Sequence, residues 1–127
     1  MEFEHFGINV PDPRAMARWY VTHLGMQIVL GAQEEPFMHF LADAGGRVVI
    51  EIYCNPDAPV PDYAKEHPMR FHIAFSEPDP GTTKDRLLQA GASLLNEDIM
   101  EDGTHLVMLR DPWGIPLQLC KRATPLG

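Results

Sequence analysis

The sequence predicts an α+β fold built from two β-α-β-β-β modules, and three observations carry that reading. The stretch HFGINVPDP that begins at His5 falls on HIAFSEPDP beginning at His72 when the chain is slid by 67 positions (72 − 5). The same shift lays Ile50-Glu51-Ile52 on Leu117-Gln118-Leu119. Identity elsewhere at this offset is low, so the weight lies in the recurring His–x6–Asp-Pro pattern with alternating apolar residues between. The second observation is residues 55–68, NPDAPVPDYAKEHP, whose four prolines and three acidic residues read as an extended connector. The third is that each half holds one helical stripe among strand-like alternations. Module one is thus 1–54, the linker 55–68 and module two 69–121, all within a single domain of 1–127.

Each element follows from local chemistry. Phe6, Ile8 and Val10 alternate with His5, Gly7 and Asn9, the period of a half-buried strand. Asp12 offers a capping oxygen and Pro13 sits where a helix has no use for an amide. Met16, Trp19, Tyr20 and Leu24 make the helical stripe, which Gly25 ends. Strands are expected near 26–31, 36–42 and 47–54, with Gly45-Gly46 turning the last hairpin. The second half repeats the order. A strand is expected at 69–76, then a helix from Asp79-Pro80 to Ala90 closed by Gly91. Strands near 92–96, 104–110 and 115–121 follow, with Asp-Pro-Trp-Gly (111–114) as the last turn.

Composition narrows the function. The chain has 127 residues, the size of one domain, and its 45% hydrophobic and 22% charged content suits a soluble globular protein. Ten Lys/Arg against 18 Asp/Glu leave −8, which disfavours a nucleic-acid or anionic-membrane partner. No apolar run approaches the ~20 residues of a membrane span. The N-terminus lacks the basic and apolar regions of a signal peptide, so the expected location is cytoplasmic. Cys54 and Cys120 are too few for a disulfide framework and read as free thiols. No Ser/His/Asp arrangement, phosphate loop or CxxC pair appears.

Side chains alternate between strand faces. Where Phe6, Ile8 and Val10 pack on a helix, His5 and Asn9 face the other way. In 47–54, Val48, Ile50 and Ile52 pack, which turns Glu51 and Tyr53 outward. In 69–76, Phe71, Ile73 and Phe75 pack, leaving Arg70, His72 and Ser76 opposite. In the last strand Ile115, Leu117 and Leu119 pack, leaving Gln118 and Cys120. His5, Glu51, His72 and Gln118 are therefore polar residues on the unpacked faces of apolar strands, and the repeat pairs them. Two imidazoles, one carboxylate and one amide oxygen suit a divalent cation such as Ni²⁺, Co²⁺, Zn²⁺, Mn²⁺ or Fe²⁺. One carboxylate leaves the site about one net positive charge, a Lewis acid for an oxygen substrate.

These motifs resemble the vicinal oxygen chelate superfamily, which groups glyoxalases, bleomycin-resistance proteins and dioxygenases. The resemblance rests on HFGINVPDPRAMARWYVTHLGMQIV, VVIEIYCN, FHIAFSEPDP and DPWGIPLQLCKR and covers nearly the whole chain. It implies a cupped mixed sheet around a metal held by residues of the first and last strands of each module, here His5, Glu51, His72 and Gln118. The placement is close to glyoxalase I, which implies lyase or isomerase chemistry on a small vicinal-oxygen substrate through an enolate-like intermediate. Two departures stand out. Glyoxalase I has Glu, its proton carrier, where this chain has Gln118, and an amide accepts no proton near neutral pH. Glu51, the counterpart of Gln118 in the repeat, is then the expected catalytic base. Asn9 stands where glutathione-using members commonly have Arg, whereas Asn55 matches a glutathione-contacting Asn.

Asn9, Tyr53, Asn55 and Arg70 are thus the expected substrate-binding residues, Arg70 as a partner for an anionic group. His39 and His105 lie on inner strands whose facing the hairpins leave open. The resemblance also implies a homodimer as the common assembly. Two alternatives come from the same superfamily: an Fe(II) extradiol-type dioxygenase, and a metal-free, ligand-sequestering protein of the bleomycin-resistance kind. Gln118 counts against the dioxygenase, since ring-cleaving members usually carry the carboxylate on that strand.

Overall fold

The computed structural model describes residues 1–127 and divides into two compact units, Met1–Pro61 and Asp62–Gly127. The boundary falls inside the proline-rich segment 55–68. The fold is α+β, and each unit has the β-α-β-β-β order expected from the sequence.

In the first unit the elements are β1 (Phe6–Asn9), α1 (Pro13–Leu24), β2 (Gln27–Gly31), β3 (His39–Ala42) and β4 (Val48–Tyr53). They form a mixed sheet in the order β1-β4-β3-β2, in which β1 and β4 run parallel. Asp12 caps α1 by accepting from the Ala15 amide at 3.1 Å, and Gly25 ends it in the left-handed conformation. Met16, Ala17, Trp19 and Tyr20 on this helix are buried, as are Ile8, Leu41, Ile50 and Ile52 on the sheet. This burial fixes the register. A one-residue slip of β4 would expose Ile50 and Ile52, at a cost of roughly 1.5–3 kcal/mol each, and bury Glu51.

The second unit repeats the plan with β5 (Ile73–Ser76), α2 (Pro80–Gln89), β6 (Ser93–Ile99), β7 (His105–Arg110) and β8 (Pro116–Lys121). The sheet order is β5-β8-β7-β6, with β5 parallel to β8. Asp79 caps α2 through the Thr82 amide at 3.2 Å, and the Thr82 hydroxyl first and this amide second hold the Asp79 carboxyl below its ordinary range. Leu87, Val107, Leu109, Ile115, Leu117 and Leu119 form the core.

Several boundaries differ from the sequence expectation. The strand expected at 36–42 begins only at His39, because Phe37 takes a positive φ of 56° in a turn closed onto Glu34. The strand expected at 69–76 begins at Ile73, since residues 68–70 form a turn in which the Arg70 amide donates to the His67 carbonyl. Arg70 and His72 therefore lie outside the strand. β6 runs on to Ile99 instead of stopping near 96. Phe6, expected on the packed face, remains 46% exposed, and Phe71, Ile73 and Phe75 are only half-buried.

Candidate functional site

In the first unit the parallel pairing of β1 and β4 sets Gly7 opposite Glu51 and Asn9 opposite Tyr53. His5, one residue before β1, places Nε2 3.2 Å from Glu51 Oε2. Both side chains are largely enclosed, at 27% and 19% exposure. Phe40, opposite Glu51 on β3, meets the His5 ring edge-on at 5.2 Å. His5 Nδ1 lies 3.4 Å from Glu4 Oε1. That approach does not make a hydrogen bond, and the buried Nδ1 is left without one. Gly7 makes room for the rest: a Cβ there would stand 3.2 Å from the Tyr53 hydroxyl and 3.3 Å from Glu51 Oε2. An imidazole, a carboxylate and a phenol thus gather where β1 has no side chain.

Asn9 and Asn55 are engaged by the backbone. Asn9 Nδ2 donates to the carbonyls of Ala58 and Asn55, and its Oδ1 accepts from the Asn55 amide at 2.7 Å. Asn55 Oδ1 accepts from the Asp57 amide. Together they pin the loop after β4.

In the second unit Ala74 pairs with Gln118. Gln118 Oε1 accepts from Cys120 Sγ at 3.3 Å, which places both on one face as alternation requires. Burial pushes the Cys120 thiol up, with Arg122 pulling the other way. His72, exposed and one residue before β5, donates from Nδ1 to the Pro68 carbonyl at 3.1 Å. A carbonyl only accepts, so Nδ1 carries a proton, and in the neutral ring Nε2 then presents the lone pair. Arg70 is exposed and lies 3.5 Å from Glu66. Within either unit no three His, Cys, Asp or Glu side chains gather into a metal-holding group.

The inner histidines face the helices. His39 pairs with Ile52 of the packed face and bonds through Nδ1 to the Phe37 carbonyl. His105 pairs with Lys121, and its Nε2 reaches Glu97 Oε2 at 2.7 Å, while Lys84 of α2 reaches Glu97 Oε1 at 2.8 Å. Lys84 first and His105 second hold the Glu97 carboxyl below its ordinary range, and Glu97 raises Lys84. Sequence reasoning missed this trio, along with Phe40 and Gly7. Alternation along β4 could have pointed to Phe40 only had the β3–β4 register been known.

Paired βαβββ units with polar residues clustered on the parallel β1/β4 pair define a recognisable class. The Glyoxalase/Bleomycin resistance protein/Dioxygenase superfamily model matches residues 2–119, and the chain belongs to that superfamily. Its fold is similar to that of a glyoxalase-related enzyme from Fulvimarina pelagi, at 20% identity and TM-score 0.71, covering 99% of this chain and 92% of that one. It is also similar to TioX from Micromonospora sp. ML1, at 17% identity and TM-score 0.67, covering 95% and 98%. A glyoxalase I mutant from Zea mays matches at 20% identity and TM-score 0.72, over 97% of this chain but 46% of that one. No curated protein sequence matches the chain.

Proposed function

We propose that this chain is a divalent-metal-dependent enzyme of the glyoxalase-like lyase or isomerase type, acting on a small molecule with adjacent oxygens. The observation that supports it most is the 3.2 Å approach of His5 Nε2 to Glu51 Oε2 in a largely enclosed setting. Two donors bound at about 2.1 Å and a right angle stand about 3 Å apart, so this pair suits neighbouring positions on one ion. His72, with Nε2 free, and Gln118, with an amide oxygen, complete the proposed donor set. When bound, the cation supplies positive charge that draws substrate oxygens and stabilises negative charge developing on them.

The remaining work falls to the chain. Glu51 is the proposed proton carrier, because it is the one carboxylate in the donor set and the Gln118 amide accepts no proton near neutral pH. Tyr53, whose hydroxyl lies over Gly7 near Glu51, is the proposed hydrogen-bond donor to a substrate oxygen. Asn9 and Asn55 act on the substrate through the loop after β4 that they pin, and Arg70 on its exposed turn is free to meet an anionic substituent by leaving Glu66. The enlarged reading includes a homodimer in the cytoplasm. The two free cysteines suit a reducing compartment. No helix is long and apolar enough to cross a membrane.

The test is proton exchange. Metal-loaded protein, incubated in deuterated water with a panel of α-hydroxycarbonyl compounds, should wash deuterium into the carbon beside the carbonyl, as read by proton NMR. Glu51→Gln should lower that rate by two or more orders of magnitude, the scale of a general base. An unchanged rate in Glu51→Gln contradicts the assignment. Consumption of dioxygen instead of exchange would point to the dioxygenase reading, and ligand binding indifferent to chelator would point to the sequestering one.

A further inference from the structure

We propose that Arg110 is a positioning residue for His72, acting through the turn that precedes β5. The inference rests on the reading of His72 as a metal donor. The guanidinium of Arg110, at the end of β7, spans three main-chain carbonyls. Nη1 donates to Tyr63 at 2.9 Å and to Gly114 at 3.0 Å, and Nη2 donates to Glu66 at 2.8 Å. One side chain thereby ties the β7–β8 turn, from which β8 carries Gln118, to the segment that leads into His72. Charge-assisted bonds to partly buried carbonyls are stronger than neutral ones, and the planar fork fixes direction as well as distance.

The restraint continues from that segment to the imidazole. Tyr63, buried within the 3-10 turn Tyr63–Lys65, meets the ring of Phe71 edge-on at 5.8 Å, and Phe71 is bonded to His72. Glu66, whose carbonyl Arg110 holds, approaches Arg70 through its carboxylate at 3.5 Å. The turn 68–70 closes when the Arg70 amide donates to the His67 carbonyl, and Pro68 then offers the oxygen that takes the His72 Nδ1 proton. A free neutral imidazole exchanges between two tautomers. Here the tautomer is set by where the Pro68 carbonyl lies, and Arg110 sets where that turn lies. Outer partners of this kind typically change metal affinity by roughly 10–100-fold when removed.

The arrangement is specific to the second unit. The pairing Ser93↔Arg110 in β6/β7 corresponds to Gln27↔Ala42 in β2/β3, and Ala42 has no side chain to clamp anything.

Two measurements on the full chain test this. In metal-free protein, long-range ¹⁵N–¹H NMR above the imidazole titration range should show His72 as the Nδ1–H tautomer. Arg110→Ala should move it toward a mixture, and Arg110→Lys, which keeps the charge but not the fork, should do so less. A His72 tautomer unchanged in both variants overturns the proposal. In the second measurement Co²⁺ is titrated by its visible absorption. Arg110→Ala should weaken binding about tenfold or more in the natural background and leave His72→Ala no weaker than it already is. Equal losses in the two backgrounds would mean a merely structural role and overturn the proposal. Should Arg110→Ala fail to fold, Arg110→Lys carries both measurements. A natural chain that takes up no Co²⁺ contradicts the metal reading, whereas the tautomer measurement decides the clamp by itself.

Discussion

The two units follow one plan yet treat their histidines differently. In the first, His5 turns Nε2 onto Glu51, Phe40 backs its ring, and Nδ1 is left without a hydrogen bond. In the second, His72 is held from behind by a carbonyl, while Gln118 takes its hydrogen bond from Cys120. The difference traces to what precedes each first strand. His5 follows four exposed residues, whereas His72 follows a turn whose preceding segment is tied to the end of β7 by Arg110, through the Tyr63 and Glu66 carbonyls. The two units share strand order and helix caps. The approach to each first strand differs, and there His5 and His72 acquire separate surroundings.

The same contrast can be broken at matching turns. Gly46 and Gly114 occupy the turn before the last strand of their units, both at positive φ, 85° and 87°. Around Gly46 a Cβ would meet nothing within 4 Å, whereas at Gly114 it would stand 2.6 Å from the Ala64 amide nitrogen. Gly114→Ala should therefore be the most damaging of these substitutions, combining left-handed strain with a backbone overlap, roughly 3 kcal/mol or more. Gly46→Ala should cost about 1 kcal/mol, the strain alone. Urea unfolding of both variants would show it. Equal losses would mean that the 62–66 segment does not rest on the β7–β8 turn.

A smaller effect sharpens the helix-facing side of the second unit. Glu97 is held below the ordinary carboxylate range by Lys84 and His105, so its stabilising contribution is present above its unfolded pKa. That contribution is lost as pH falls through the lower, folded value. Lys84, raised by Glu97, loses its share only as pH rises through its elevated value. Glu97→Gln should thus lower the thermal midpoint near neutral pH, by an amount that shrinks toward zero in acid below the carboxylate range. Melting curves from pH 3 to pH 7 read it. A gap that stays constant across that range would mean the trio contributes through packing alone.

The smallest expected change lies at Gly7. Gly7→Ala asks the Tyr53 hydroxyl and Glu51 to give by a few tenths of an ångström, which two side-chain tips can do. Stability should shift by less than about 1 kcal/mol. The tyrosine environment, followed by near-ultraviolet circular dichroism, should change where stability does not. An unaltered spectrum would place the hydroxyl away from Gly7.

Much of this was legible in the residues. Asp12-Pro13 and Asp79-Pro80 announced both helices because a capping oxygen followed by proline has few other uses, and Ile50-Glu51-Ile52 fixed the facing of Glu51 through burial of its neighbours. Strand starts were harder. Residues 69–72 alternate as a strand does, but the His67 and Pro68 carbonyls capture the chain in a turn, a local choice that alternation cannot register. His39 and His105 were undetermined for a similar reason: hairpin length, and a bulge at Leu41/Ala42 that the β7/β8 pair lacks, shift the repeat offset across the inner strands. Arg110 was invisible because its partners are carbonyls, which every residue carries.

The functional account rests on the proposal that His5, Glu51, His72 and Gln118 serve as donors to a divalent cation. Elemental analysis of protein purified without a chelating tag and saturated with Ni²⁺ or Zn²⁺ tests this most directly, repeated on Glu51→Ala and His72→Ala. About one tightly held ion per natural chain, lost from both variants, is the predicted result. An ion retained equally by all three proteins, or none held by the natural chain, would contradict it.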